Sequence, residues 1–131
     1  NAQIIEEFRA NEGRVGGMFE GAPLLLLHST GAKSGEARVS PVMYQSVGDD
    51  LAIFASYAGA PNNPAWYHNL LANPEASVEV GIGTIEVTAR VADDEERDPI
   101  WTRQKIDYPG FADYESQTSR TIPVVILEPR S

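Results

Sequence analysis

The sequence predicts a mainly β (α+β) fold: a closed or split antiparallel β-barrel with two to four packed helices. Six segments of high β propensity are joined mostly by short turns, and a few segments with helical periodicity accompany them. The regular strand-helix-strand alternation that builds a doubly wound parallel sheet is missing. Strands joined in this way bury their apolar faces by closing into a barrel, against which the helices pack.

Apolar residues at helical spacing predict a first helix over residues 2–12, with Ile4, Ile5 and Phe8 on its apolar face. Several glycines then interrupt regular structure, and Pro23 ends this interruption. We therefore expect the first strand of the barrel to begin directly after Pro23.

The second predicted strand contains Pro41, which has no N–H to donate and therefore indicates a sheet edge or a bulge. A hairpin turn is predicted at Gly48-Asp49-Asp50. The last strand is apolar almost throughout, which favours a central position. The six predicted strands cover residues 24–29, 38–47, 51–56, 75–81, 84–91 and 122–127.

A second helix is predicted over residues 64–72, with Pro64 in its first turn and Asn63 as a candidate N-cap. Acidic residues at 93–96 complement the dipole of a third helix. A last short helix is predicted at 111–117. The residues expected to share one face of the second helix are Trp66, Tyr67, Leu70 and Leu71.

Composition limits the classes of function. The 131 residues, 42% of them hydrophobic, suit a single folded domain. Acidic side chains number 19 against 10 basic ones, which argues against nucleic-acid binding, since that binding neutralises phosphates. The absence of cysteine excludes disulfides and thiol chemistry. No apolar run is long enough to span a membrane and no signal peptide is visible. We expect a cytoplasmic protein, with peripheral membrane association as an open alternative.

A basic turn lies at residues 30–38 of this acidic chain, where glycines accompany Lys33, Ser34 and Arg38. Its directed donors predict an anion site, most simply for a phosphate. A solvated hairpin loop is the open alternative. A P-loop is excluded, because the earlier glycine is missing and a strand follows where a helix should begin.

Other candidate residues lie in later loops. Small residues at 56–63 allow a flat ligand to approach the backbone, and aromatic residues follow directly. The Tyr114 phenol is a candidate donor of a hydrogen bond or a proton. His28 and His68 have no partner at ligand spacing, so we expect no metal site.

Taken together, several motifs resemble the deazaflavin-dependent nitroreductase family of actinobacteria, the small coenzyme F420-dependent quinone and nitro reductases. The resemblance runs from about residue 22 to the C-terminus and implies that residues 1–131 form one split-barrel F420-binding domain, with residues 1–20 as a helix and glycine-rich lead-in. The motifs are TGAKSG at 30–35, RVSPVM at 38–43, GAPNNPAWYHNL at 59–70, NP at 73–74, DY at 113–114, RTIPV at 120–124 and LEP at 127–129.

The resemblance also implies roles for individual residues. The phosphate and anionic tail of F420 would be held by Lys33, Ser34, Gly35 and Arg38. The cofactor would be flanked by Pro41, Val42, Met43 and Tyr44. The edge of the deazaflavin would meet the backbone of Ser56, Tyr57, Ala58 and Gly59. The opposite wall would be formed by Trp66, Tyr67 and Asn69. Tyr114 would face the substrate over the ring as the candidate catalytic residue, and either Tyr114 or solvent would supply the donor to the acceptor oxygen.

The implied activity is hydride transfer from reduced F420 to a small hydrophobic acceptor: a quinone, an enone or unsaturated lactone, or a nitroaromatic. Two alternatives stay open. One is an FMN-dependent oxidoreductase on a similar barrel, and the other is a non-catalytic F420 carrier. The oligomeric state is not predicted.

Overall fold

The computed structural model describes residues 2–11, 13 and 23–130. Its strands are β1 (Leu24–Thr30), β2 (Ala37–Val47), β3 (Asp50–Phe54), β4 (Glu75–Val80), β5 (Gly83–Val91) and β6 (Val124–Pro129). Its helices are α1 (Ala2–Ala10), α2 (Ala65–Ala72), α3 (Asp94–Asp107) and α4 (Gly110–Ser116), and a short 3-10 turn covers Tyr57–Gly59. The glycine-rich lead-in lies outside the described residues, apart from Gly13.

The strands close into an antiparallel barrel in the order β1-β2-β3-β6-β5-β4. This confirms the mainly β barrel with packed helices. The predicted hairpin turn is also present, since Val47 pairs with Asp50 across Gly48 and Asp49. β6 pairs with β3 and β5, and its residues 124–127 are buried on both faces of the strand, as its apolar sequence predicts.

The first part of β2 is paired on one side only. Residues 37–43 pair with β1, whereas pairing with β3 begins at Tyr44. Pro41 therefore lies at a local edge, where its missing N–H costs the sheet no hydrogen bond, as its sequence position predicts. This unpaired edge leaves an opening in the barrel wall.

Three apolar clusters hold the fold together. In the barrel interior, side chains from several strands pack against Trp66 and Leu70 of α2. This helix therefore packs across one end of the barrel. A second cluster packs Trp101 of α3 and Phe111 of α4 against the outer face of β3 and β6. A third packs Phe8 of α1 against the outer face of β1. Burial of side chains of this size stabilises a fold by about 1.5–3 kcal/mol each.

Two details of α2 differ from the sequence prediction. Pro64, not Asn63, occupies the N-cap position, because the Asn63 side chain instead accepts a hydrogen bond from Arg120 at 2.7 Å. Leu71 does not share the buried face: it is 56% exposed, whereas Trp66 and Leu70 are buried. The helix meets the barrel over a narrower stripe than its apolar residues predict.

The predicted start of the third helix is confirmed. Asp93 is the N-cap of α3, and its carboxylate accepts a hydrogen bond from the Glu96 N–H at 2.9 Å. Three acidic residues occupy the first turn, where they interact favourably with the helix dipole. The helices of the described part of the chain are all too short or too polar to cross a membrane.

Candidate functional site

Two cavities lie along the unpaired edge of β2, and Trp66 lines both of them. The first, of about 710 Å³, is bordered by the basic turn and by polar residues of α2. The second, of about 460 Å³, is mainly apolar. The basic turn and the loop after β3 are separate in sequence. The structure places them at two cavities that share the Trp66 side chain in their linings.

The basic turn is shaped by its own backbone. Gly31 donates to the Glu36 carbonyl at 2.8 Å, and Gly35 donates to the Gly31 carbonyl at 3.0 Å. Gly35 has a φ of +71°, a conformation that favours glycine. The Ser34 hydroxyl accepts from the Glu36 N–H at 3.2 Å. These bonds fix the turn while leaving its charged side chains at the surface.

Lys33 and Arg38 both line the first cavity. Arg38 lies 3.3 Å from the Glu36 carboxylate, and both side chains are more than half exposed. Exposed ion pairs of this kind contribute little free energy, so the Arg38 guanidinium can exchange Glu36 for an anionic ligand at small cost. Of the predicted anion-binding residues, Lys33, Ser34 and Arg38 therefore share one open cavity, which Gly35 does not line.

Asn69 joins α2 to the basic turn. Its side-chain oxygen accepts from the Ala32 N–H at 3.0 Å, and its amide donates to the Ser29 hydroxyl at 3.4 Å. The residue is buried yet also lines the first cavity. Its amide holds the turn in place, a role that the sequence did not indicate.

The second cavity has apolar walls from three parts of the chain. β2 contributes Pro41, Val42 and Met43, and α4 contributes Phe111 and Tyr114. The Tyr114 ring packs edge-on against Phe111, with the centroids 5.4 Å apart. Among the described residues, no hydrogen bond engages the Tyr114 hydroxyl, which leaves it able to donate to a ligand.

The loop after β3 adopts a strained shape beside this cavity. Tyr57 has a φ of +47°, which is uncommon for a residue other than glycine and is typical of functional sites. Gly59 has a φ of +80°, and a Cβ there would lie 3.0 Å from the Tyr114 carbonyl oxygen. Glycine is therefore required where this loop meets α4. Ser56 and Tyr57 line the cavity, and Ala58 lies within the 3-10 turn.

Arg120 holds this loop from a distant part of the sequence. Its guanidinium donates to the carbonyls of Ala55, Ser56 and Ala60 at 2.8–3.0 Å and to the Asn63 side chain at 2.7 Å. This role is not visible in the sequence, because the partners of Arg120 lie 57–65 positions away. The only available signal was its place within the RTIPV motif.

Of the predicted site residues that the structure fully describes, four line neither cavity: Gly35, Tyr44, Gly59 and Tyr67. Tyr44 packs against the interior cluster of the barrel and lines neither cavity. Tyr67 packs against the same cluster and borders a separate cavity of about 120 Å³ next to β5. His68, to which the sequence analysis gave no ligand-binding role, instead lines the first cavity.

No group of three or more histidine or acidic side chains within the described ranges is arranged to hold a metal ion. The two cavities offer cations, a histidine, backbone groups, a tyrosine hydroxyl and apolar walls.

The chain matches the family model described as F420H(2)-dependent quinone reductase over residues 3–129. It is 40% identical over 129 residues to an F420H(2)-dependent quinone reductase of Mycobacterium tuberculosis (strain H37Rv), covering 94% of this chain and 85% of the relative.

Solved structures agree with this match. An F420-H2 dependent reductase (FDR-A) superposes with a TM-score of 0.74 at 41% identity, covering 81% of this chain and 94% of that one. A protein described as a domain-swapped dimer superposes with a TM-score of 0.75 at 37% identity, covering 97% and 93% of the two chains. The chain belongs to the F420H(2)-dependent quinone reductase family.

Proposed function

We propose that the two cavities bind reduced F420, with its anionic tail in the first and its deazaflavin in the second, for the reduction of a quinone. Membership of the family makes this chain an F420-dependent oxidoreductase with a small-molecule acceptor. The observation that carries the placement is Trp66, which lines both a cation-bearing cavity and an apolar one.

The residues present fit this cofactor. F420 joins a flat deazaflavin to a tail that carries a phosphate and several carboxylates. The first cavity offers Lys33 and Arg38 at an open surface, where a long anionic tail can lie. On a chain of net charge −9, such a tail requires local donors, and this turn supplies them.

The second cavity suits a flat ring. Pro41 and Met43 on one strand and Trp66 on α2 provide apolar contact surfaces, which favour burial of an aromatic ligand. The loop at Ser56 and Tyr57 presents backbone groups that can pair with polar atoms at the edge of the ring. These properties support the placement of the deazaflavin ring in the second cavity and of the anionic tail in the first.

When bound, reduced F420 supplies the hydride for the reaction. The protein binds and orients both reactants and limits the access of water. As the acceptor is reduced, its oxygen gains negative charge and requires a donor. Tyr114 lines the cavity with its hydroxyl unengaged by the described residues, so it is our proposed donor of that hydrogen bond or proton. We further propose that enones, unsaturated lactones and nitroaromatics can replace the quinone.

The experiment is a pair of binding titrations followed by turnover assays. F420 binding is followed by fluorescence, with FMN titrated in parallel as the competing phosphate-bearing cofactor. Oxidation of reduced F420 is then measured with quinone, enone and nitroaromatic acceptors. We expect binding of F420 in preference to FMN and turnover with a quinone. Tight binding of FMN alone would overturn the proposal, and F420 binding without any acceptor reduction would indicate a carrier.

A further inference from the structure

Arg120 is a cation without a counter-ion behind the wall of the ring cavity. In the part of the chain that the structure describes, its guanidinium makes hydrogen bonds only to uncharged groups: three backbone carbonyls and the Asn63 amide oxygen. Within the described part of the chain, no carboxylate pairs with it. Burial lowers the pKa of this guanidinium, because the charge loses water and gains no anion in return. It remains protonated at neutral pH, as arginine does in proteins.

The hydrogen bonds of Arg120 also orient the backbone of the loop. They point the carbonyls of Ala55 and Ser56 at the guanidinium. In a trans peptide, the N–H lies on the side opposite the carbonyl, so the N–H groups of Ser56 and Tyr57 point away from Arg120. No hydrogen bond from either N–H occurs among the described residues. Both residues line the ring cavity.

We propose that Arg120 is a positioning residue that holds the loop at 55–60 in its ligand-binding shape and favours negative charge on the chromophore in the ring cavity. The inference rests on the proposed function, because it takes the chromophore to be F420. Among the described residues no carboxylate offsets the charge of the part-buried Arg120 guanidinium, and a part-buried charge is screened less than one at the surface. This charge therefore stabilises the anionic form of a bound ring relative to the neutral form.

The test uses a property of oxidised F420, whose ring hydroxyl ionises to a coloured anion. The absorbance of F420 bound to the full chain is titrated with pH, and its dissociation constant is measured by fluorescence. The titratable side chains among the described residues lining this cavity are Tyr57 and Tyr114. The ionisation of Tyr57 and Tyr114 is followed separately, in titrations without the cofactor.

Arg120→Lys and Arg120→Met separate charge from geometry. Lysine keeps the charge but cannot reach the same four acceptors, so we expect F420 to bind about tenfold more weakly while its ring ionises near the wild-type pH. Methionine removes both features, so the ring should also ionise at a higher pH. The tenfold figure corresponds to the loss of one charged hydrogen bond, about 1.5 kcal/mol. Added guanidinium should partly restore binding in Arg120→Ala.

Arg97→Met is the matched control. Arg97 also donates to a backbone carbonyl, that of Ile122 at 2.9 Å, but it has Asp98 as a counter-ion and lies against Trp101. Its loss should lower stability and leave the ionisation of bound F420 unchanged. If Arg120 had only a structural role, Arg120→Met would behave like Arg97→Met: stability would fall and the ionisation of bound F420 would stay unchanged.

The outcomes separate this inference from the proposed function. Absence of F420 binding by the wild-type chain would overturn the proposed function. If the wild type binds F420 but Arg120→Met leaves the ring ionisation unchanged, the electrostatic role of Arg120 is overturned. If Arg120→Met does not fold, Arg120→Lys decides, because wild-type affinity in that variant would overturn the positioning role.

Discussion

The side-chain oxygen of Asn69 accepts a hydrogen bond from the backbone N–H of Ala32 at 3.0 Å. This contact spans 37 positions of sequence and ties α2 to the basic turn. Because Trp66 lies on the same helix, this amide helps to set the position of the turn relative to the indole, together with the hydrogen bond from the Asn73 side chain to the Thr30 carbonyl. The geometry of both cavities is therefore coupled through α2.

Replacing Asn69 tests this coupling. Asn69→Ala leaves the Ala32 N–H without its side-chain acceptor, which we expect to cost about 1–2 kcal/mol of unfolding free energy and to weaken F420 binding. Urea unfolding and fluorescence titration measure the two effects. Asn69→Asp is the control for the unfolding free energy, because its carboxylate still accepts from Ala32 and can accept from the Ser29 hydroxyl; it is not used for binding, since it adds a negative charge to the first cavity. Equal losses of unfolding free energy in both variants would contradict the assigned role.

The basic turn is tested by removing its charges. Lys33→Ala and Arg38→Ala should each weaken F420 binding by up to about 1.5–3 kcal/mol, the range for a hydrogen bond to a charged group. The difference from wild type should shrink at high salt, because both side chains are at the surface. Dissociation constants at two ionic strengths measure this.

A positive charge outside both cavities is the control for long-range attraction between the protein and the anionic cofactor. Arg103 is exposed on α3, and its one ion pair among the described residues is with Asp107 in the next turn of that helix. Arg103→Ala should leave the F420 affinity nearly unchanged. An unchanged dissociation constant in the Lys33 and Arg38 variants would instead indicate that the turn is only a solvated hairpin loop.

Tyr114 is tested by removing its hydroxyl. Tyr114→Phe retains the ring that packs on Phe111, so F420 affinity should change little. Turnover should fall by about a hundredfold or more if the phenol donates a proton in the transition state. Tyr108→Phe, on a tyrosine outside both cavities, is the control. Unchanged turnover with every acceptor would remove Tyr114 from the mechanism.

The stability of α1 should depend on pH through Glu79. Its carboxylate is bound by Arg9 at 2.8 Å and by His28 at 2.5 Å. The hydrogen bond from Arg9, with a further contribution from His28, lowers the pKa of this carboxyl below its ordinary value. A carboxyl with a lowered pKa in the folded state stabilises the protein above its unfolded pKa of about 4.3. That stabilisation is lost as the pH falls through the lower, folded pKa.

We therefore expect wild type and Glu79→Gln to differ in unfolding free energy at neutral pH and to converge as the solution is acidified. Urea unfolding at several pH values measures the gap. Glu86→Gln, which removes a carboxylate from an exposed pair with Arg130, should show a smaller gap. A constant gap between wild type and Glu79→Gln at every pH would contradict the ion-pair explanation.

Local sequence patterns predicted the barrel and several of its turns. Alternating apolar residues and turn-forming residues act over a few positions, so the strands and the hairpin turn at Gly48 were predictable locally. The same holds for the N-cap Asp93, whose carboxylate meets an N–H only three positions away. The basic turn was also visible, because its glycines and cations are contiguous.

Packing between distant segments of the chain sets which of these groups come together. The face that α2 buries depends on how the helix crosses the barrel, so Tyr67 lies away from both cavities and Leu71 is exposed. The strand pairing directs Tyr44 into the interior. Arg120 finds its acceptors only after segments about 60 positions apart have packed together. The local sequence therefore indicates which groups are able to bind an anion or an aromatic ring. Long-range packing sets the positions of those groups in the fold.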